Sequence, residues 1–249
     1  MSVVDHYQHG APCWVDTWQA DPTAATRFYA QLFGWRLSPL SAGSDVYWNA
    51  TLGGRLVAGV GRAPTAAPAV WAVNIGVDEL EVALARVARA GGRLLAEAIQ
   101  LGAQGRVAVA ADPTGVAFAI WEPGGRRGAE LVAAPNSWAM SALHTTDLGA
   151  AERFYNEAFD WELVRRPERG LYEWRLHEQS VAVATATVGH AIPAHWAVNF
   201  AVSDVDALVD RSQLLGANVV ITPSDTAGFR SAVIADPQGA VFAVSAPLE

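Results

Sequence analysis

The chain has 249 residues, of which 51% are hydrophobic and 17% are charged, and its net charge is −8 at pH 7. This acidity disfavours nucleic acid as a partner, because phosphate binding needs a basic face. The single cysteine, Cys13, excludes an internal disulfide, and no apolar run reaches the roughly 18 residues of a membrane span. The first residues lack a basic region followed by an apolar run, so no secretion signal is expected and a cytoplasmic location is the default.

The first half of the chain contains two similar strand–helix–three-strand units. The first helix has Asp21 at its N-cap, Pro22 at its first position and Gly34 at its end, where each residue type is favoured. The second helix is predicted over 78–90, with Asp78 as the cap and Glu81 three residues later. The predicted strands of this half are 13–18, 35–37, 46–52, 56–60, 71–77, 106–111 and 116–121.

The second half of the chain repeats the first. Residues 21–35 recur as 147–161, and the Asp-Pro-X-Gly turn at 112–115 recurs at 236–239. The helix motif returns after 126 residues, far beyond the roughly 20–50 residues of a solenoid unit, so the repeat is a whole domain. We therefore predict an α+β fold of four βαβββ modules in two tandem domains, at 10–124 and 135–249.

The segment between the two domains is rich in glycine and contains Arg126 and Arg127. The two arginines are a possible phosphate contact. A solvated connector is the simpler interpretation, and it is the one we predict.

Two sets of motifs resemble a known family. Residues 27–29 (Arg-Phe-Tyr) precede 32–35 (Leu-Phe-Gly-Trp), and residues 153–155 (Arg-Phe-Tyr) precede 158–161 (Ala-Phe-Asp-Trp). With the Asp-Pro-X-Gly turns, they resemble the vicinal oxygen chelate superfamily of glyoxalase I, bleomycin-resistance proteins and extradiol dioxygenases. Within that superfamily, the chain resembles the two-domain glyoxalase/bleomycin-resistance-like proteins of actinobacteria, which are often labelled hydroxylases. The resemblance implies that each pair of modules curls its sheet into a U-shaped cavity.

Metal-binding members of that superfamily carry their ligands at strand positions that can be found by spacing from these motifs. In this chain the positions are Trp14, Ala58 or Gly59, Ala72 and Ala119 in the first domain, and Met140, Val183 or Ala184, Ala197 and Ala243 in the second. None of these residues supplies the imidazole, carboxylate or thiolate that a divalent cation needs. Dinucleotide-binding and phosphate-loop motifs are also missing. We therefore expect neither a metal nor another cofactor, and none of the chemistry that depends on a metal.

Alternation of side chains along strands predicts which other residues face the cavities. The predicted ligand-binding residues are Trp14, Trp18, Asn74 and Trp121 in the first domain, and Met140 and Asn199 in the second. The tryptophans would form flat walls for an aromatic ligand. Asp16 is a candidate general base because an apolar wall raises the pKa of a carboxylate, and His144 because imidazole titrates near neutral pH. For both residues the alternative is a structural role.

Three functions are compatible with these features. The first is a metal-free protein, monomeric or homodimeric, that sequesters a small apolar or aromatic metabolite or antibiotic in a tryptophan-lined cavity. The second is a metal-independent isomerase, lyase or cyclase that uses Asp16 or His144 as an acid or base. The third is a non-catalytic scaffold. The superfamily resemblance does not choose among them, since one fold hosts many chemistries.

Overall fold

The computed structural model describes residues 2–40, 46–64, 67–167, 170–187, 193–226 and 228–248. Within them the chain forms two mixed eight-stranded sheets and four helices, two helices to each domain. Four strand–helix–three-strand modules in two tandem domains confirm the predicted α+β architecture.

The first domain has its two module-opening strands side by side at the centre of the sheet. Its elements are β2 (Pro12–Gln19), α1 (Pro22–Phe33), β3 (Arg36–Pro39), β4 (Tyr47–Leu52), β5 (Arg55–Arg62), β6 (Val70–Gly76), α2 (Leu80–Arg89), β7 (Arg93–Gln100), β8 (Gly105–Ala111) and β9 (Ala117–Pro123). The strand order is β3-β4-β5-β2-β6-β9-β8-β7. Strand β2 pairs in parallel with β5 and antiparallel with β6.

The second domain repeats this order strand for strand. Its elements are β11 (Ser137–Thr145), α3 (Leu148–Phe159), β12 (Glu162–Arg166), β13 (Leu171–Leu176), β14 (Gln179–Ala186), β15 (His195–Ala201), α4 (Val205–Leu214), β16 (Asn218–Thr226), β17 (Phe229–Ala235) and β18 (Val241–Pro247). The strand order is β12-β13-β14-β11-β15-β18-β17-β16. Two short strands outside the sheets, β1 (Ser2–Val3) and β10 (Leu131–Val132), join the N-terminal arm to the interdomain linker.

Helices α1 and α3 begin and end at the residues that the motif predicts. The side chain of Asp21 accepts a hydrogen bond from the backbone N–H of Ala24 at 3.0 Å, and Asp147 caps α3 in the same way. Gly34 ends α1 in the left-handed conformation. Asp160 adopts that conformation at the end of α3 with φ of 61°, a region that Asp tolerates better than most residues.

Helix α2 begins two residues later than predicted. Its first N–H group, at Leu80, donates to the carboxylate of Glu122 on β9 at 2.8 Å, so a distant side chain replaces the predicted cap. Asp78 lies outside the helix, where its backbone N–H donates to Nδ1 of His9 at 3.0 Å. The predicted capping by Asp78 is therefore wrong, because a tertiary contact satisfies the helix end instead.

The outermost strands β7 and β16 are absent from the strands predicted from sequence. Every residue of β7 is exposed, and β16 is exposed over most of its length. With both faces in solvent, neither strand needs the alternation of apolar and polar residues by which a half-buried strand is predicted.

The motifs that signal the family also join the two domains. The hydroxyl of Tyr29 donates to Asp236 Oδ2 at 2.7 Å, and the amide of Gln19 donates to the same oxygen at 2.7 Å. In the other direction, the Tyr155 hydroxyl reaches Asp112 at 3.4 Å. Each Arg-Phe-Tyr tyrosine therefore contacts the Asp-Pro-X-Gly aspartate of the opposite domain, and all five residues are buried.

Aromatic side chains fill the interface between the domains. Phe33 and Trp71 of the first domain lie with their ring centroids 5.0 Å from Phe200 of the second. Contacts of this kind make the two domains a single packed body. In the described part of the chain, no helix is long and apolar enough to cross a membrane.

Candidate functional site

Each sheet has one face covered by helices and one face that lines a cleft, and the two clefts can be compared residue by residue. Equivalent rows of cleft-facing residues are Trp14, Asn74 and Ala119 in the domain-1 cleft and Met140, Asn199 and Ala243 in the domain-2 cleft. In the next row, Asp16 lies across from Ala72, and Ala142 lies across from Ala197. The predicted site residues thus line up along matching strands.

The domain-1 cleft is filled by a side chain from the interdomain linker. The guanidinium of Arg126 lies 4.5 Å from the ring centroid of Trp14 and 4.4 Å from that of Trp121. Its Nη1 donates to the Tyr47 hydroxyl and to Asn49 Oδ1, both at 3.2 Å. Arg126 is only 2% exposed. The prediction of a solvated connector is therefore wrong for Arg126, although Arg127 beside it is exposed.

Trp14 and Trp121 consequently offer no open wall to a ligand in this structure. Both are buried, with the guanidinium against their rings. Trp18 is partly exposed at the rim, and its indole N–H donates to Asp16 at 3.2 Å. Asn74 is buried and also donates to Asp16, at 3.1 Å. Each of these four predicted ligand-binding residues is thus engaged by Asp16, Tyr47 or Arg126.

Asp16 lies at the bottom of this network and has no open path to solvent. Its Oδ2 accepts from the hydroxyl of Tyr47 at 2.9 Å, and Tyr47 in turn accepts from the indole N–H of Trp14 at 2.9 Å. Burial raises the pKa of Asp16, while the charge of Arg126 and the hydrogen bonds that the carboxylate accepts lower it. A carboxylate that accepts three hydrogen bonds and is 3% exposed is better suited to hold the cleft together than to remove a proton from a ligand.

Two glycines on β5 make room for the aromatic rings of this cleft. A Cβ atom at Gly59 would lie 2.0 Å from the hydroxyl of Tyr47, and one at Gly61 would lie 2.8 Å from the ring of Trp18. In the domain-2 cleft, the residues beside Ala142 and His144 on the equivalent strand are Val183 and Thr185. The close approach of rings that glycine permits on the cleft face of β5 is thus absent at the matching positions of β14.

The domain-2 cleft is open. Met140, the counterpart of Trp14, is 38% exposed, whereas Trp14 is completely buried. Ala142, Ala197 and Ala243 are small and partly exposed on three adjacent strands.

A cavity of about 490 Å³ adjoins the Met140 end of the domain-2 cleft. The N-terminal arm forms one wall of this cavity, and strands β11 and β14 form the other. The lining includes Tyr7 and Gln8 from the arm and Trp138, Met140 and Val181 from the sheet. Its volume lies within the range of about 300–1,000 Å³ that is typical of small-molecule sites.

Two histidines lie at the other end of the domain-2 cleft. His144 and His195 are directly opposite each other on β11 and β15, and their rings stack with centroids 4.8 Å apart. Burial, with a smaller contribution from His195, lowers the pKa of His144 to about 4, so the ring is neutral at neutral pH. Nδ1 of His195 lies 2.7 Å from the carbonyl oxygen of Pro193. Because a carbonyl can only accept, the proton of a neutral His195 is on Nδ1, and Nε2 keeps a free lone pair.

Asn199 does not repeat the role of Asn74. Its amide donates to the hydroxyl of Ser245 at 2.8 Å, and its Oδ1 is buried with no hydrogen-bond partner within the described residues. In the first domain the corresponding amide is held by Asp16, whose counterpart here is Ala142. Asn199 is therefore the predicted polar residue of this cleft that keeps an unused acceptor.

No three His, Cys, Asp or Glu side chains lie close enough together to hold a metal ion, as far as the described residues go. The predicted ligand positions are occupied by tryptophan, methionine, glycine, valine and alanine side chains, which supply no suitable donor. Cys13 is fully buried, and burial raises the pKa of its thiol to about 12, so it is not a thiolate nucleophile.

Three residues that lie in the clefts were not among the site residues predicted from sequence: Arg126, Tyr47 and His195. Tyr47 and Asn49 alternate along β4 on the cleft side, and this alternation was a usable signal. His195 is found only once the register of β11 with β15 is known, since its partner is 51 residues away. The sequence of a glycine-rich segment does not by itself distinguish a solvated linker from one that inserts Arg126 into a cleft.

Comparison with known proteins agrees with this fold. The glyoxalase-like domain family matches residues 14–121 and again residues 140–245. The chain belongs to this family. Its fold and motifs make it a member of the vicinal oxygen chelate superfamily, as the resemblance predicted.

Two relatives match this chain over nearly their whole length. The anthracycline biosynthesis proteins DauV of Streptomyces sp. (strain C5) and DnrV of Streptomyces peucetius are each 35% identical over 255 residues, with 94% of this chain and 92% of theirs covered. Among solved structures, the Mn(II)-bound glyoxalase from Novosphingobium aromaticivorans is similar with a TM-score of 0.65 at 17% identity, covering 97% of this chain and 83% of that one. The last similarity shows the fold alone.

Proposed function

We propose that this protein binds a planar, apolar, multi-ring metabolite in the domain-2 cleft and sequesters or carries it. The observation that carries the proposal is the cavity of about 490 Å³ at the exposed side chain of Met140. From Met140 to His144 the cleft runs along four residues of strand, about 13 Å, which is enough for several fused rings. Beyond that cavity, the small side chains of Ala142, Ala197 and Ala243 are partly exposed and leave room for such a ring system.

The relatives support this class of ligand. DauV and DnrV are named for anthracycline biosynthesis, and anthracyclines are planar molecules of fused rings. Met140 suits a flat aromatic ligand because a flexible thioether adapts its shape to the ring it contacts. Trp138 and Tyr7 add aromatic surface at the cavity. The ligand class is the one expected from sequence, and among the predicted ligand-binding residues of the two domains we assign Met140 and Asn199 to the site.

Titration with 1,8-dihydroxyanthraquinone, a planar three-ring probe, tests the proposal by calorimetry and tryptophan fluorescence. We expect one molecule to bind per chain. Ala197→Phe, which fills the floor of the domain-2 cleft, should weaken binding at least about tenfold by steric overlap. Its matched control is Ala72→Phe at the equivalent position of the first domain, which should leave the affinity unchanged. Equal losses in both variants, or binding that neither variant alters, would refute the proposed site.

A metal-independent enzyme is the second candidate, and the His144–His195 pair favours it. His195 Nε2 is free to accept a proton from a ligand in the cleft, and His144 lies against it as a neutral ring. A pKa of about 4 makes His144 itself a weak base, so His195 takes the role that sequence reasoning gave to His144.

Conversion of a bound quinone or other planar ligand, followed by mass spectrometry, separates the two candidates. An enzyme should lose turnover in His195→Gln while the affinity for the ligand is retained. A binding protein should return the ligand unchanged with or without the substitution. If a broad panel of planar compounds neither binds nor reacts, the scaffold function is supported instead.

A further inference from the structure

The domain-1 cleft has the composition of a cation-binding site. Three aromatic rings, those of Trp14, Tyr47 and Trp121, lie within 4.4–5.3 Å of the guanidinium carbon of Arg126. A cation over the face of an aromatic ring is attracted by the ring's quadrupole, and several rings around one cation form an aromatic cage. Guanidinium is the protein cation best suited to such a site, because it is planar and weakly hydrated.

Polar groups of the cage complete the recognition of positive charge. Asp16 places a buried carboxylate behind the rings, and Tyr47 connects it to the guanidinium by donating to Asp16 and accepting from Arg126. Asn49 Oδ1 accepts the other hydrogen bond from Arg126 Nη1. By contrast, Arg126 Nε is buried without a hydrogen-bond partner in the described structure.

The linker is fastened on both sides of Arg126. The Trp121 indole N–H donates to the carbonyl of Arg126 at 3.0 Å, and the Ala129 N–H donates to the carbonyl of Cys13 at 2.8 Å. Gly128 adopts a φ of 155°, and a Cβ atom there would lie 2.4 Å from the Cys13 carbonyl oxygen, so this close approach requires glycine. A side chain held this way has a high effective concentration at the cage and excludes competing ligands from solution.

We propose that the domain-1 cleft is a binding site for a planar organic cation of the alkylguanidinium class, and that Arg126 of the same chain is its resident ligand. The site is distinct from the proposed ligand site of the second domain, and it does not depend on the function proposed there. With Arg126 in place the cage is closed to molecules from outside. Removing the side chain beyond Cβ leaves an empty cage whose missing occupant is N-ethylguanidinium.

The test uses the full-length Arg126→Ala variant and measures thermal unfolding and tryptophan fluorescence in the presence of N-ethylguanidinium. We expect a saturable rise of Tm, about 3 °C at ten times the dissociation constant, with a change in tryptophan emission. N-ethylurea, which has nearly the same shape but no charge, should have no such effect. The wild-type protein and Arg127→Ala, in which Arg126 still fills the cage, should not respond at matched concentrations.

Two results would overturn the proposal. One is a folded Arg126→Ala variant that shows no saturable response, or that responds equally to N-ethylurea. The other is an equal response of the wild-type protein, which would mean that the cation binds elsewhere.

Nuclear magnetic resonance of the wild-type protein keeps the proposal testable even where Arg126→Ala fails to fold. The Nε–H proton of Arg126, assigned with Arg126→Lys, lies among indole rings and should resonate upfield of the other arginines. A shift like that of exposed Arg127 would place the guanidinium outside the cage and refute the proposal.

Discussion

The two clefts of this protein are built from equivalent strands, but one is filled by side chains and the other is open. In the first domain, Trp14 and Trp121 lie against a buried arginine, and Asp16 accepts hydrogen bonds from three neighbouring side chains. In the second domain, the counterparts of Trp14 and Asp16 are Met140 and Ala142, and both are accessible. The difference shows how a duplicated fold can use one cleft as a polar core and leave the other free for a ligand.

The cost of opening the closed cleft is the largest effect that we predict. Arg126→Ala should lower the free energy of unfolding by about 3 kcal/mol, because it removes contacts with three rings and leaves the buried carboxylate of Asp16 without its compensating charge. Urea denaturation measures the loss. The neighbouring Arg127→Ala is the control and should change stability by less than about 0.5 kcal/mol, since Arg127 is exposed. Equal effects of the two substitutions would contradict the account of the domain-1 cleft.

The two tyrosines that join the domains differ in the length of their hydrogen bonds. Tyr29→Phe should lower the free energy of unfolding by about 1.5 kcal/mol. The Tyr29 hydroxyl donates to Asp236 at 2.7 Å, and without it the buried carboxylate loses one of its hydrogen bonds. Tyr155→Phe should cost less, since the corresponding hydrogen bond to Asp112 is 3.4 Å long. Chemical denaturation of the two variants in parallel checks the order. A greater loss for Tyr155→Phe would show that the two interdomain contacts do not differ as described.

The smallest effect is a pH dependence that comes from the open cleft. The pKa of His144 is about 4 in the folded protein and about 6.5 in the unfolded chain. Protons therefore bind more readily to the unfolded state, so this contribution to stability is complete above pH 6.5 and is lost as the pH falls towards 4. We expect this titration to change the free energy of unfolding by about 1 kcal/mol. The effect is much smaller than for a fully buried imidazole, because the ring is partly exposed.

The variant His144→Gln provides the control for this titration. Its stability should fall less than that of the wild-type protein between pH 7 and pH 4.5, as followed by thermal unfolding. The titration of Asp16 changes stability in the opposite direction. Burial raises the pKa of Asp16, so its contribution to the free energy of unfolding is present at low pH and is lost as the pH rises through the folded-state pKa. Identical acid profiles for wild type and His144→Gln would mean that the imidazole is not shielded in the domain-2 cleft.

Much of the fold was predictable because duplication, caps and turns are local signals. Asp21, Pro22 and Gly34 mark one helix by their chemistry alone, and the same spacing recurs around Asp147. The start of α2 was not predictable, because Glu122 satisfies it from 42 residues away. Strand β7 was missed for a related reason, since an edge strand exposed on both faces carries no alternating pattern.

The site was predictable only as far as strand alternation extends. Parity along β2 correctly groups Trp14, Asp16 and Trp18 on one face, as the antiparallel ladder with β6 requires. Which cleft is open depends on what enters it from elsewhere, and Arg126 enters from a segment with no periodic pattern. His195 depends likewise on register across two strands. Contacts between distant segments therefore decide which cleft is filled and which side chains meet in it, while local signals decide the fold.

A crystal structure of the protein soaked with 1,8-dihydroxyanthraquinone would show directly which cleft binds the ligand. We expect one ring system per chain along β11, between Met140 and His144, with Arg126 still lying between Trp14 and Trp121. A ring system between Trp14 and Trp121, with Arg126 displaced into solvent, would contradict it.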